Sequence, residues 1–144
     1  MNTPKINLKW HALSELIDWE GNETGGLLIG SDDAIEGVWP VPSRRPNPNR
    51  YSVQRGIYYK ARDTAGRLGI RVWGVIHTHP NGPEGPSAED IELAKRYRIR
   101  AGEVRAVWHP RSGRLTLFDA QGPTASTTIA CPLWFRLVRA LVFT

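Results

Sequence analysis

The sequence predicts an α/β fold, a single mixed β-sheet flanked by helices, on three observations. Short apolar or β-branched runs at 25–30, 34–41 and 70–76 read as strands, and helical patterns separate them. The best-signed helix opens at Ser87, directly after the 70–76 run and a proline-rich loop. A hairpin pattern then closes over 104–118 around Arg111-Ser112-Gly113. At 144 residues the chain hides roughly 68–70% of its unfolded surface on folding. It is far short of the roughly 250 residues of a TIM barrel. The expected organisation is one domain over 1–144.

Taken in order, Leu13, Leu16 and Ile17, with Leu8 and Ala12, fall at helical spacing and predict a helix over roughly 9–19, stopped at Gly21-Asn22. Gly25-Gly26-Leu-Leu-Ile-Gly30 is a short buried strand, and 34–41 is its partner across a Ser-Asp-Asp turn. Three prolines make 42–50 a loop, and 51–53 reads as extended. A helix over 56–68 stops at Gly69, and the β-branched 70–76 run follows. Pro80, Pro83 and Pro86, with Gly82 and Gly85, force another loop. Ser87 is an N-cap; Glu89, Asp90 and Glu92 open the helix and Lys95, Arg96 and Arg98 close it, complementing its dipole. The most apolar stretch, 132–144, carries Arg136 and Arg139 and is too short to span a bilayer. It reads as a docking segment over roughly 125–144, with Trp134, Phe135, Leu137, Leu141 and Val142 on offer.

Composition narrows the function. Apolar residues at 40% and charged residues at 23% describe an ordinary globular chain, not a disordered one. Net charge is +5, divided unevenly: residues 1–43 carry −5 and residues 44–144 carry +10. A basic half suits phosphates or an acidic protein equally. No nucleic-acid module is recognisable, which sets that partner aside. One cysteine, Cys131, excludes an internal disulfide framework and fits a reducing compartment. The first residues lack the pattern of a signal peptide, so the expected location is the cytoplasm, with no membrane association.

The chemistry concentrates in Gly74-Val-Ile-His77-Thr-His79-Pro-Asn-Gly-Pro-Glu-Gly-Pro-Ser87-Ala-Glu-Asp90. Side chains alternate along a strand, so His77 and His79 project to one side at its end. Asp90, in the first turn of the next helix, is placed to turn back toward them. Two histidines and a carboxylate leave a fourth tetrahedral position for water, as in a catalytic zinc site, where the pKa of that water falls to about 7. Such a site needs a base that is not a ligand, and Glu23, just before the Gly25-Gly26 strand, is the candidate. Ser87 is either an oxyanion donor or only a helix cap; one hydroxyl serves both if its proton and lone pairs are used separately. His11 and His109 have no partner pattern and read as structural or exposed. Arg44, Arg45 and Arg50 lie in a loop that could grip a phosphate or a partner's acids but is by default solvated, and Arg105, Arg111 and Arg114 around the hairpin read as facing water.

These residues resemble the JAMM (JAB/MPN-domain) metalloproteases. The family pattern is an upstream glutamate, then His-Ser/Thr-His-Pro, then Ser-x-x-Asp after seven residues. Here it stands as Glu23, His77-Thr78-His79-Pro80 and Ser87-Ala88-Glu89-Asp90, with 80–86 as the spacer and no departure. The resemblance covers roughly residues 5–120 and extends to Glu-Thr-Gly-Gly-Leu-Leu-Ile-Gly around the glutamate. It implies the MPN/JAMM (cytidine-deaminase-like) architecture of a small prokaryotic-type member. It further implies one Zn2+ on His77, His79, Asp90 and a catalytic water, with Glu23 as base and Ser87 as oxyanion stabiliser. The implied reaction is hydrolysis of a peptide or isopeptide bond after the Gly-Gly tail of a ubiquitin-like or sulfur-carrier protein.

Two other His-x-His patterns fit poorly. Cupins want a glutamate three or four residues on, which Glu84 supplies, but a helix follows at once and Arg71 stands where glycine is expected. Metallo-β-lactamases want Asp-His where this chain has Asn81-Gly82. The competing functions are a non-catalytic MPN scaffold for a protein partner, disfavoured by the intact ligand set, and a phage- or cell-wall-related JAMM peptidase.

Overall fold

The computed structural model describes residues 3–97 and 102–142. Along the chain run β1 (Lys5–Ile6), α1 (Trp10–Ser14), β2 (Gly25–Gly30), β3 (Ala34–Pro40), α2 (Arg55–Arg67), β4 (Arg71–Thr78), α3 (Ala88–Arg96), β5 (Val104–His109), β6 (Arg114–Asp119), β7 (Gly122–Thr128) and α4 (Leu133–Val142). The strands form one seven-stranded mixed sheet in the order β1-β3-β2-β4-β5-β6-β7. Only β1–β3 and β4–β5 are parallel pairs; the rest are antiparallel. This is the α/β class the alternation of elements predicts. Arg98, expected at the end of the third helix, lies outside the described residues.

Glycines let the central strands come close. A Cβ at Gly25 would collide with the Ile76 carbonyl and the Tyr51 ring, and one at Gly74 with the Val104 carbonyl. The second contact lies where β4 and β5 pair in parallel, with Gly74 opposite Val104.

The sheet's two faces are covered differently. On one, Leu28, Ile76, Ala106, Trp108, Leu115 and Leu117 form a continuous apolar layer under Leu8, Leu13 and Leu16. On the other, α2 lays Ala61 and Ala65 over Leu27 and Val72, while α3 lays Ala94 over Val107 and Phe118. A cleft of about 1270 Å³ opens on this second face, with residues of the 41–55 segment, α2, α3 and β5 along its walls.

Four expectations change or gain detail. The first helix is shorter than 9–19: regular structure ends at Ser14, whose hydroxyl donates to the His11 carbonyl, and Asp18 caps a turn through the Glu20 amide. Leu16 is still buried, carried by turns rather than by helix. Residues 51–53 are extended but pair with no strand. The third difference is β7, which hid behind Gly-Pro-Thr-Ala-Ser-Thr-Thr; its proline is tolerated because the strand lies at the sheet edge. Finally, the C-terminal segment is a helix, α4. Phe135 turns inward to be fully buried near Trp10 and Trp19, while Leu133, Trp134, Leu137 and Leu141 stay exposed. The side chain of Val142 lies outside those described. Among the described residues, no helix is long and apolar enough to cross a membrane.

Candidate metal centre

Strand register builds the site. Gly25 of β2 pairs with His77 of β4 in antiparallel register, so counting back two residues sets Glu23 opposite His79. Thr24 and Thr78 lock that junction. The Thr24 amide donates to the Thr78 hydroxyl at 3.0 Å, the Thr78 amide donates to the Thr24 carbonyl at 2.8 Å, and the Thr24 hydroxyl donates to the Leu16 carbonyl. The Glu23 amide in turn donates to the Asn47 carbonyl at 2.9 Å, pinning the 42–50 loop beside the site. Beyond β4 the His79 amide donates to the Trp108 carbonyl at 2.9 Å, prolonging the β4–β5 pairing past the formal strand end.

His77 and His79 therefore face the same way. Their Nε2 atoms stand 3.1 Å apart, and Glu23 Oε2 is 4.0 Å from His79 Nε2. All three side chains are buried: Glu23 is 8% exposed, His77 8% and His79 2%. Their donor atoms lie within 4.8 Å of one another. Asp90 completes the group from α3: its Oδ1 is 3.2 Å from His77 Nε2 and its Oδ2 3.1 Å from His79 Nε2. The structure thus brings Glu23, His77, His79 and Asp90 together.

Ser87 and Asp90 form a capping box. The Asp90 amide donates to Ser87 Oγ at 3.1 Å, and the Ser87 amide donates to Asp90 Oδ2 at 2.8 Å. The Ser87 hydroxyl spends a lone pair on the cap and keeps its proton. Capping and donation to a substrate oxygen are thereby compatible uses of one group.

The electrostatics divide the two carboxylates. Burial pushes Glu23 up to about 7; the positive charge of His79 opposes this, and the nearby charges of Asp90 and Glu89 reinforce it. Burial acts on Asp90 in the same sense. There it is overcome by hydrogen bonds from His77, His79 and the Ser87 amide, which hold Asp90 well below the usual carboxylate range. Burial alone would lower His79. Its bonds to Asp90 and to the Pro83 carbonyl, with the charges of Asp90 and Glu23, raise it instead.

The tautomers are set from behind. His79 Nδ1 donates to the Pro83 carbonyl at 2.9 Å, so Nε2 is the nitrogen turned to the cluster and the one that would give up its proton to bind an ion. One residue earlier in the same loop, the Gly82 backbone is the hydrogen-bond partner of His109. His109 Nδ1 accepts from the Ser112 amide at 3.2 Å and lies 2.7 Å from the Ser112 hydroxyl, so its proton sits on Nε2. Gly82 also packs beneath the His79 ring, where a Cβ would come within 3.3 Å. Sequence reading missed this role for His109. The available signal was its place at the end of the strand next to β4, level with the motif.

The donor set fits a divalent ion. Ligands about 2.0–2.1 Å from a tetrahedral centre lie about 3.3 Å apart. The two Nε2 atoms are 3.1 Å apart, and Asp90 sets one oxygen 3.2 Å from His77 and the other 3.1 Å from His79. Nitrogen and carboxylate donors, a backbone-fixed imidazole and an ionised Asp90 are what such an ion requires.

The chain is similar to known proteins in sequence and in fold. A curated relative from Thermus thermophilus, named as a probable TtuB-protein conjugate cleaving protease, is 35% identical over 75 residues, 51% of this chain and 49% of that protein. A desampylase from Pyrococcus furiosus is 25% identical over 88 residues, 61% of this chain and 63% of that protein. The matches thus span about half to three fifths of these relatives. Among solved structures, protein DSY2949 from Desulfitobacterium hafniense superposes with a TM-score of 0.63 at 22% identity, covering 87% of this chain and 91% of its own. AF2198, a JAB1/MPN domain protein from Archaeoglobus fulgidus, gives 0.54 at 18% identity, covering 90% and 100%. The family described as prokaryotic homologs of the JAB domain matches residues 11–114, from α1 through the whole motif to the start of β6. The chain is a small prokaryotic JAB/MPN-domain protein and belongs to that family.

Proposed function

We propose that the protein is a zinc-dependent JAMM-type isopeptidase. It would hydrolyse the amide after the Gly-Gly tail of a ubiquitin-like or sulfur-carrier protein. The observation that carries this is the cluster of buried Glu23, His77 and His79 with half-buried Asp90, of which His77 and Asp90 line an open cleft. The names of the two curated relatives, a conjugate-cleaving protease and a desampylase, support the choice of substrate class.

His77, His79 and Asp90 would hold the ion. Asp90 rather than Glu23 takes the third position because its carboxylate touches both imidazoles and stays ionised, as a ligand must. Zinc suits two imidazoles and one carboxylate with a position left open, and when bound it polarises the substrate carbonyl and acidifies water. Glu23, set back at 4.0 Å from His79 Nε2, takes the proton of the attacking water and returns it to the departing amine. The free proton of Ser87 is donated to the oxygen that gains charge as the carbonyl becomes tetrahedral. The presence of a single cysteine, Cys131, supports a reducing, cytoplasmic location.

The test is to incubate zinc-loaded protein with Gly-Gly-tailed carrier proteins bearing a short C-terminal extension and to weigh the products. Cleavage after the second glycine, lost in Glu23→Gln with zinc retained, is the expected result. Parent-rate cleavage by Glu23→Gln sinks the mechanism, and failure to take up zinc returns the chain to a scaffold role.

A further inference from the structure

We propose that the cleft selects a substrate tail carrying acidic residues just upstream of its terminal glycines, read by Arg105 on the floor and by Arg44, Arg45, Arg55 and Arg96 on the rim. The proposal rests on the isopeptidase reading above and specifies which tail it accepts.

The charge inventory of the cleft leads there. Seven arginines and four carboxylates line it. Every one of those carboxylates is already engaged. Glu89 pairs with Arg50 at 3.0 Å, Glu103 with Arg62 at 2.9 Å and Glu92 with Lys95 at 3.3 Å, while Asp90 faces the two histidines. Among the described residues, no carboxylate lies within ion-pair distance of Arg44, Arg45, Arg55, Arg96 or Arg105. The four rim arginines are exposed.

Arg105 is the anchor, and here the sequence expectation of a water-facing side chain is corrected. It pairs with Val75 of β4 and Phe118 of β6, and Val107, two residues on, pairs with His77. Alternation therefore aims Arg105 to the same face as His77, where α2 and α3 shield it partly from water. One guanidinium nitrogen, Nη2, donates to the Tyr97 carbonyl, but Nε is buried with no acceptor. A buried donor left unpaired is costly, and a ligand acceptor would recover that cost.

Spacing and polarity select the occupant. Two residues of strand separate Arg105 from the level of His77, about 6.6 Å at 3.3 Å per residue. An extended tail with its cleaved amide at the metal centre thus brings its second or third residue over Arg105. After two glycines, the third is the first to own a side chain. Charge is also graded along the cleft. Glu89 and Asp90 stand at the metal end near Glu23, whereas the free arginines lie along the rest. A chain with neutral glycines at one end and carboxylates at the other matches that gradient, while a nucleic acid carries the same charge at every unit and offers no such match.

The experiment uses the full-length Glu23→Gln protein loaded with zinc and fluorescein-labelled octapeptides ending in Gly-Gly. Their third to fifth residues from the end are Asp/Glu, Ser/Asn or Lys. Anisotropy should give a Kd for the acidic peptide about tenfold below that of the neutral one, with the lysine peptide weakest. Added salt should shrink the difference. Arg105→Gln should remove most of it and Arg105→Lys part of it. An Arg44→Ala/Arg96→Ala double variant, confined to exposed positions, should reduce it several-fold without touching the fold. Equal binding of acidic and neutral peptides overturns the proposal, as does tighter binding of a single-stranded DNA octamer. Turnover is measured separately, with the parent protein on the same peptides extended by a lysine amide. Acid-selective binding without cleavage leaves the recognition standing and removes the isopeptidase reading; cleavage without acid selectivity does the reverse.

Discussion

The two faces of the central sheet are made by the same strands and have opposite properties. The face under α1 is closed: Leu28, Ile76, Ala106 and Leu115 are fully buried and meet apolar side chains on all sides. The face under α2 and α3 is parted by a cleft, and the alternate residues of those strands deliver His77 and Arg105 into it. One residue of offset along β4 thus separates stability from chemistry: Ile76 belongs to the first and His77 to the second. The closed face gains from burying what the open face keeps accessible, and substitutions should sort accordingly.

The largest effect is expected at the heart of the open face. His79→Ala removes a proposed zinc ligand and should reduce both bound zinc, by elemental analysis, and turnover to background, while circular dichroism stays that of the parent. Glu23→Gln should retain zinc but cut kcat by roughly 10²–10⁴-fold, the range of a general base. The contrast is Leu28→Ala on the closed face, which should cost about 2–5 kcal/mol by denaturant titration. The fraction that remains folded should keep its kcat. If Leu28→Ala instead lowers kcat at constant folded fraction, the two faces are not independent.

Smaller effects sharpen the boundary. His109→Ala, behind the loop that fixes His79, should weaken zinc affinity by roughly 10–100-fold with little change in kcat at saturating metal. The smallest concerns pH. Folding raises Glu23 from 4.5 to about 7, so the folded metal-free protein binds that proton more tightly than the unfolded chain. This contribution is present below 4.5 and is lost as pH rises through about 7. In the metal-free state, Glu23→Gln should therefore raise Tm at pH 8 relative to the parent and have little effect at pH 4. No pH dependence in that difference would remove the assignment of Glu23 as a buried carboxylate with a raised pKa.

Legibility in the sequence followed locality. His77, His79, Ser87 and Asp90 fall within fourteen residues, and strand alternation plus one helix cap suffice to place them on one another. Glu23 lies 54 residues before His77, yet the length of the Gly25–Gly30 strand makes its register against β4 readable once the two are paired. What stayed hidden was tertiary. The edge strand β7 has no apolar alternation and opens on Gly122-Pro123, and only pairing to β6 makes it a strand. His109 and Arg105 are ordinary residues of a hairpin until the parallel β4–β5 pair sets them level with the motif. The cleft has no sequence signature, because it is the space between two helices.

The capping box carries a consequence for assembly. Asp90 Oδ2 meets the Ser87 amide and His79 at once, so the first turn of α3 and the ligand cluster draw on a single carboxylate. Helix nucleation is the unfavourable step in forming a short helix. An ion that fixes Asp90 therefore also fixes the turn from which α3 grows. Occupancy is written into the backbone as well as into the side chains, and amide exchange at the start of α3 should be slower in the holoprotein than in the apoprotein, a record of metal loading that needs no substrate.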